Sequence, residues 1–361
     1  MEKFKSFITE AKEEPYKLLI LSHDDPFDPN ETGPMVRKKA SELGIEVYLA
    51  EFSGMYMEDK GKDQLIYSFP VDEKGKVELP GMKDDVEYDK PFRINPENTL
   101  VMARGIGSTV KTGNLSWRVA CLNLESQGYT LINPVICHDI CNDKWYNQIV
   151  FQQNDIRTPN TVLVRHSEGA EDAAKRLGNK FPMILKTAVG SRGVGVIWIE
   201  SLKALHSVIQ LLHREDEFVD VLLQEYIKTD YDVRVIIAAG EILGAIKRPV
   251  VGDDFRSNVS QGSEPVSHEL TEREAQESLR AAESVQGQVV GVDFIPAKNR
   301  DKESPYFIEV NSTPGLMGIE AVLSKSAAKP LIKGKDRSIT KEILKMYMNR
   351  DNWTLDKSTE T

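Results

Sequence analysis

Hydrophobic and polar positions alternate in two distinct rhythms along the chain. Short apolar runs with polar stops predict buried strands at Tyr16–Ser22 (YKLLILS), Ile45–Glu51 (IEVYLAE), Leu100–Ala103 and Thr130–Asn133. Between them, Gly33–Leu43 places Met35, Ala40 and Leu43 as apolar points and stops at Gly44, so it reads as a helix, as does Ser116–Ser126. Strand and helix in alternation predict a small parallel α/β unit. Gly54–Arg93 is polar, charged and weakly patterned, and reads as an excursion carrying a hairpin.

A second unit opens with a helix over Asp143–Gln153, punctuated by Thr158-Pro159. A strand over Thr161–Arg165 and a helix over Glu171–Leu177 follow, and Gly178 stops the helix. Strands at Phe181–Thr187 and Gly195–Glu200 flank a glycine-rich loop, and Ser201 caps a helix whose apolar face is Leu202, Leu205, Ile209 and Leu212. The third stretch is strand-rich: Val219–Tyr226, Val233–Ala239 and Glu241–Lys247, the last two forming a hairpin around Gly240. Thr271 and Glu274 make a capping-box pattern for a helix ending at Gly287. Strands at Val289–Ile295 and Tyr306–Val310 precede a Lys-rich helical end from Lys325 and a disordered tail over Asp356–Thr361.

Composition narrows the function. A chain of 361 residues suggests two or three structural units. With 46 Lys plus Arg against 56 Asp plus Glu, the net charge is −10, which argues against a general grip on nucleic acid yet allows a local basic pocket for a polyphosphate. No apolar run approaches the roughly 20 residues of a membrane span, and Met1–Tyr16 lacks the apolar core of a secretory signal. Three cysteines, Cys121, Cys137 and Cys141, exclude a disulfide scaffold and fit a reducing cytoplasm. Cys137-His138 with Cys141 lacks the second ligand pair of a zinc site, so a packing role is expected there.

Candidate chemistry is concentrated in the second half. The loop Gly190-Ser191-Arg192-Gly193-Val194-Gly195 can bring backbone N–H groups close to phosphate oxygens. A strand rather than a helix follows it, and it lacks a Gly-Lys-Ser/Thr ending, so it is neither a dinucleotide fingerprint nor a P-loop. Lys186 ends the apolar strand entering that loop, where a buried ammonium is costly without an anion. Asp293 sits in VVGVDFI, and Glu309 and Asn311 alternate onto one face of FIEVN. Two carboxylates and an amide oxygen are hard ligands suited to Mg²⁺ in company with phosphates. Arg234, Lys247, Arg248 and Arg256, with Asn258 two residues on, form a basic cluster that invites an anion. Each of these residues taken singly also has a plainer reading as a surface or salt-bridging side chain.

Taken in order, ILKTAVGSRGVGV, LLQEYI, DVRVIIAAGEILGAIKR, FRSN, GVDFI and FIEVNSTPGLMGIE resemble the ATP-grasp superfamily, most closely its RimK-type branch of carboxylate–amine ligases, from about Leu100 to Glu320. The resemblance implies an α/β (α+β) chain: a pre-ATP-grasp α/β domain at residues 1–140, an ATP-grasp lid subdomain at 141–225, a C-terminal subdomain at 226–345 and a tail at 346–361. It implies that Lys144 and Lys186 bind the α- and β-phosphates of ATP, that the loop with Ser191, Arg192, Gly193, Val194 and Gly195 closes over them, and that Gln224, Glu225, Tyr226 and Ile227 meet adenine at the linker between the lobes. Asp232 would contact ribose, Arg234 and Arg248 would lie near the phosphates or the reacting carboxylate, and Arg256 and Asn258 would sit where acceptor carboxylate and acyl phosphate meet. Asp293, Glu309 and Asn311 would hold two Mg²⁺ ions, with Mn²⁺ as a substitute.

The implied activity is ATP-dependent amide synthesis through an acyl phosphate, joining an amino acid, with glutamate as the candidate, to a peptide or protein terminus. A small-molecule ligase of the glutathione-synthetase kind and a non-catalytic ATP-binding module are the alternatives. The intact set Asp293, Glu309, Asn311 and Arg256 argues against the last. No membrane partner is expected, and relatives commonly form dimers or tetramers. Pro249 after Lys247-Arg248, the sequence Val259-Ser260-Gln261-Gly262-Ser263 after FRSN, and the Gly54–Arg93 excursion depart from the family pattern where acceptor substrates bind.

Overall fold

The computed structural model describes residues 16–22, 32–52, 55–56, 64–66, 92–106, 116–189, 195–215, 219–250, 264–325 and 338–353. The N-terminal unit runs β1 (Lys17–Ser22), α1 (Thr32–Glu42), β2 (Glu46–Glu51), short strands β3 (Met55–Tyr56), β4 (Gln64–Ile66) and β5 (Phe92–Ile94), then β6 (Thr99–Arg104), α2 (Ser116–Ser126) and β7 (Thr130–Ile132). Its main sheet is parallel in the order β2-β1-β6-β7. β1 lacks alternation because both faces are covered. Leu18 and Ile20 pack with Val36 and Ala40 of α1, while Leu19 and Leu21 pack with Trp117 and Leu124 of α2. The hairpin expected in the excursion is a small antiparallel sheet, β3-β4-β5, and the rest of that stretch lies outside the described residues.

Two helices follow in immediate succession: α3 (Val135–Asn142) and α4 (Lys144–Gln153). Asp143 separates them, with φ −112° and ψ 113°, and its carboxylate accepts from Trp145 N at 2.8 Å and Tyr146 N at 3.1 Å, capping α4. α3 was not legible beforehand, since its eight residues, VICHDICN, carry no clean polar stripe.

The middle lobe contains β8 (Thr161–Val164), α5 (Ala170–Arg176), β9 (Met183–Thr187), β10 (Val196–Ile199), α6 (Leu202–Glu215) and β11 (Val221–Glu225), its antiparallel sheet ordered β10-β9-β11-β8. One face carries Met183, Leu185, Val221 and Leu223 into a core with Ala170, Ala174, Leu205 and Ile209. By alternation the other face carries Ile184, Lys186, Leu222 and Gln224.

The C-terminal lobe contains β12 (Tyr231–Ala238), β13 (Glu241–Pro249), β14 (Val266–Ser267), α7 (Glu272–Ser284), β15 (Val289–Ile295), β16 (Tyr306–Asn311), α8 (Met317–Lys325) and α9 (Ile339–Met346), with sheet order β14-β13-β12-β15-β16. Thr271 and Glu274 form the full reciprocal capping box of α7. One sheet face packs on α7 together with α3 and α4, through Ile140, Val150, Phe151, Val233, Val235, Phe294 and Phe307. The other face, with α8 and α9, shares a continuous core with the N-terminal sheet and α1.

α4 belongs to the core of the C-terminal lobe, where Phe151 meets Phe307 edge-on at 6.1 Å, and the middle lobe's own core begins at Val162. The chain beyond α9 packs back onto the N-terminal unit as far as Trp353. Trp353 is buried against Tyr16, ring centroids 5.9 Å apart, and its indole N–H donates to Tyr347 O at 2.7 Å. Among the described residues, no helix is long and apolar enough to cross a membrane.

Candidate active site

The open face of the middle sheet presents a cation. Lys186 Nζ donates to Gln224 Oε1 at 2.8 Å, and Gln224 Nε2 donates to Thr161 Oγ1 at 2.8 Å, so the lysine is held by a relay across three strands. Lys144 reaches the same place because the start of α4 is stitched to the strand leaving β9: Lys144 N donates to Ala188 O at 3.0 Å, and Asp143 bridges Val189. The glycine loop springs from this point. Thr187 N donates to Gly195 O at 3.1 Å, and Gly195 has φ +82°; a Cβ there would lie 2.6 Å from Thr187 Oγ1, so only glycine fits. Ser191, Arg192, Gly193 and Val194 lie outside the described residues.

Burial lowers the Lys186 ammonium from 10.5 to about 8, the Glu309 carboxylate opposing and Lys144 assisting. Lys186 thus sits in the field of a carboxylate carried by the other lobe. Lys186→Ala is expected to weaken nucleotide binding by about 1.5–3 kcal/mol, roughly 10- to 150-fold, measured by titration calorimetry. The charged form is the one that binds phosphate. In the wild type, affinity therefore falls as pH rises past about 8, where free Lys186 loses its proton. Lys186→Arg, charged throughout, should remove that dependence.

At the hinge, Glu225 is engaged on both its backbone and its side chain. Its N–H donates to Asn160 O at 2.9 Å, and its Oε1 accepts from Asn160 N at 2.8 Å. Tyr226 lies edge-on to Trp198 of β10, centroids 4.8 Å apart, which ties the strand after the glycine loop to the hinge. Ile227 follows in the extended segment leading to β12, partly buried.

Across the cleft, the C-terminal sheet carries a buried ion cluster built from cross-strand pairs. Register places Asp232 opposite Arg248 and Arg234 opposite Asp293. Arg234 grips Asp293 with two hydrogen bonds, at 2.7 and 2.6 Å. Arg248 grips Asp232 with two at 2.6 Å and reaches Asp293 Oδ2 at 3.1 Å. Burial alone would raise the Asp293 carboxyl, but the two guanidinium groups overcome it and hold the value below 3.8. Burial would lower Arg248, and Asp293 with Asp232 instead raises it. Asp232, assigned to ribose by the resemblance, is thus the partner of Arg248 in this structure.

Asn311 Nδ2 lies 3.3 Å from Glu309 Oε1 and 3.5 Å from Asp293 Oδ2, so the three side chains converge. Among the described residues no group of three His, Cys, Asp or Glu could hold a metal ion. The convergent set instead offers two carboxylates, to which the Asn311 amide would add its oxygen once the ring of contacts from its Nδ2 gives way to a cation, hard donors that fit a divalent ion shared with phosphate oxygens. Asp293 would share its oxygens with that ion, since both already accept from arginine. Arg256 and Asn258 lie outside the described residues.

The N-terminal unit and α3 also reach this region, through residues that the sequence alone does not place in the site. Arg104 Nη2 approaches Pro314 O at 3.5 Å, just beyond β16. His138 Nδ1 pairs with Ser312 Oγ at 2.8 Å, and burial lowers its imidazole to about 3. Asn133 is completely buried beside them. The only sequence signal for Asn133 was an Asn-Pro pair ending an apolar strand.

A chain with a lysine-bearing middle sheet and an acid–guanidinium cluster on its C-terminal sheet is an ATP-dependent ligase of the ATP-grasp class, whose members use ATP and a divalent metal. The chain belongs to the RimK-like ATP-grasp family, whose domain model matches residues 141–334. It is 30% identical over 260 residues to a probable alpha-L-glutamate ligase of Marinomonas sp., covering 71% of this chain and 82% of that protein. It is 30% identical over 225 residues to the ribosomal protein bS6–L-glutamate ligase of Escherichia fergusonii, covering 62% of this chain and 73% of that one. In fold it is similar to D-alanine–D-alanine ligase from Bacillus anthracis complexed with ATP, with TM-score 0.61, 17% identity and coverage of 94% and 98% of the two chains.

Proposed function

We propose that this chain activates the carboxylate of a peptide or protein terminus with ATP and joins it to the amine of an amino acid, glutamate first among the candidates. The observation that carries the reading is the convergence of Asp293, Glu309 and Asn311 on the C-terminal sheet, in a chain whose middle sheet holds the Lys186 ammonium on Gln224 at 2.8 Å. The names of the Marinomonas and Escherichia relatives support glutamate as the amine.

In the proposed cycle, Lys144 and Lys186 hold the α- and β-phosphates and the loop from Gly190 to Gly195 covers them. Gln224 to Ile227 flank the base. The acceptor carboxylate oxygen attacks the γ-phosphorus, the bond to the β-bridging oxygen breaks and ADP forms. The amine nitrogen then attacks the acyl carbon, phosphate leaves with the C–O electron pair, and the amine proton passes to phosphate or solvent. Arg256, with Arg248 and Asn258, is assigned to the developing oxyanion, where a guanidinium supplies two directed donors. Asp293, Glu309 and Asn311 would hold two Mg²⁺ ions, or Mn²⁺, which neutralise phosphate charge when bound. The protein needs no covalent nucleophile, because positioning and charge stabilisation suffice for phosphoryl transfer. The reaction is placed in the cytoplasm, where ATP and reduced thiols coexist.

The test is ADP release across the amino acids, with and without peptide acceptors bearing a free C-terminal carboxylate. Release that requires both glutamate and a peptide supports the reading. Release with small carboxylates alone would replace it with a small-molecule ligase, and no release with any pair would remove the ligase assignment of substrate class.

A further inference from the structure

The strands that carry the proposed metal ligands are pinned at one end by a single buried side chain from the N-terminal unit. Asn133 directly follows β7. Its Nδ2 donates to Val289 O at 2.7 Å and to Ser312 O at 2.6 Å. Its Oδ1 accepts from Gln288 N at 2.7 Å and Val289 N at 2.8 Å. Both donors and both acceptor positions of the amide are thereby used.

The places it touches matter. Val289 opens β15, the strand of Asp293, and Ser312 follows Asn311 at the end of β16. The two strands run antiparallel with Gly291 opposite Asn311, so Asn133 grips the same end of both. At the other side of the ligands the ladder is irregular: Asp293 pairs with Glu309, but Phe294 pairs with Phe307, which marks a bulge. Bulges interrupt ladder hydrogen bonds and re-aim side chains. Asp293, Glu309 and Asn311 therefore all lie in the short stretch between the bulge and the Asn133 clamp. The regular ladder there spans only Gly291–Asp293 against Glu309–Asn311. His138 adds a second hold on Ser312 through Oγ, and its own ring is braced edge-on by Trp117 at 5.9 Å.

We propose that Asn133 is a positioning residue of this ligase: through the backbone of Val289 and Ser312 it sets the spacing of Asp293, Glu309 and Asn311 for the divalent cation. The inference rests on the reading of those three residues as metal ligands. It makes the N-terminal unit part of the catalytic apparatus, because an amide outside the matched domain model at 141–334 fixes the ligand strands within it. Side chains that orient first ligands are commonly worth 10- to 100-fold in metal affinity.

The experiment uses the full chain and ADP binding by calorimetry, in EDTA and across a Mg²⁺ titration, for wild type, Asn133→Ala and Ser312→Ala. Each variant is measured below its own thermal transition. Asn133→Ala is expected to raise the Mg²⁺ midpoint by roughly tenfold or more while affinity for ADP in EDTA stays near wild type. Ser312→Ala, which removes only the His138 contact, should raise it less and in the same direction. A folded Asn133→Ala with the wild-type Mg²⁺ midpoint overturns the proposal, because a merely structural clamp lowers the melting temperature and leaves metal dependence alone. Should Asn133→Ala fail to fold, Asn133→Asp decides, since it keeps an acceptor for Gln288 N and Val289 N but loses both donors to Val289 O and Ser312 O; a wild-type Mg²⁺ midpoint there overturns the proposal too. If ADP binding by the wild type does not depend on Mg²⁺ at all, the ligand assignment itself has failed, a result distinct from loss of the Asn133 effect alone.

Discussion

Arg248→Met is expected to destabilise the protein by roughly 3–5 kcal/mol, the usual result of removing one partner from a buried ion pair. Arg248 is 3% exposed and neutralises two carboxylates at once, Asp232 through two hydrogen bonds and Asp293 through one. Methionine replaces its packing but none of its charge. Asp293, 4% exposed, would keep only Arg234, and Asp232 would lose its bidentate partner. Urea denaturation followed by circular dichroism measures the loss. A wild-type midpoint would mean that solvent reaches both carboxylates and the cluster contributes nothing to the fold.

The same cluster fixes the direction of acid sensitivity. The folded value of Asp293 is held below its ordinary 3.8, so the cluster's contribution is present above that pH and is lost as pH falls through the folded value. Asp293→Asn should therefore flatten the acid limb of the stability profile.

Glu309→Gln is expected to lower turnover by roughly 10²- to 10³-fold at saturating nucleotide, the scale on which a preorganised charge acts in a transition state. The substitution is isosteric, and glutamine can still accept from Asn311 Nδ2, now 3.3 Å from Oε1, so the fold should melt near the wild-type temperature. ADP affinity in EDTA well below pH 8 should hardly change, because Lys186 and Lys144 supply the phosphate-side charge and Lys186 stays protonated there. Single-turnover ADP formation with varied Mg²⁺ checks the assignment. A wild-type rate at high Mg²⁺ would show that Glu309 serves the packing of β16 with Asn311 and not the chemistry.

The residues of the candidate site are named from sequence alone because local signals carry them. A lysine ending the apolar strand before a glycine loop, and Glu309 and Asn311 at period two in FIEVN, are short-range patterns with direct chemical meaning. The Thr271–Glu274 capping box and most strands were legible for the same reason: caps and alternation depend on neighbours within a few residues. The domain family followed from the order of several such blocks.

Tertiary structure decided what no local pattern encodes. Alternation put Glu309 and Asn311 on one face, but only the sheet order β14-β13-β12-β15-β16 set Arg234 and Arg248 around Asp293 and made Asp232 an ion-pair partner. The core to which α4 belongs was likewise invisible, since Phe151 meets Phe307 across more than 150 residues of chain. Asn133 shows the limit most sharply. A lone asparagine at a strand end satisfies any turn rule, and its four hydrogen bonds are to backbone groups 155 to 179 residues away. Backbone amides and carbonyls are alike at every position, so the sequence of the partners carries no trace of the contact, and only the packed fold selects which of them a buried side chain must satisfy.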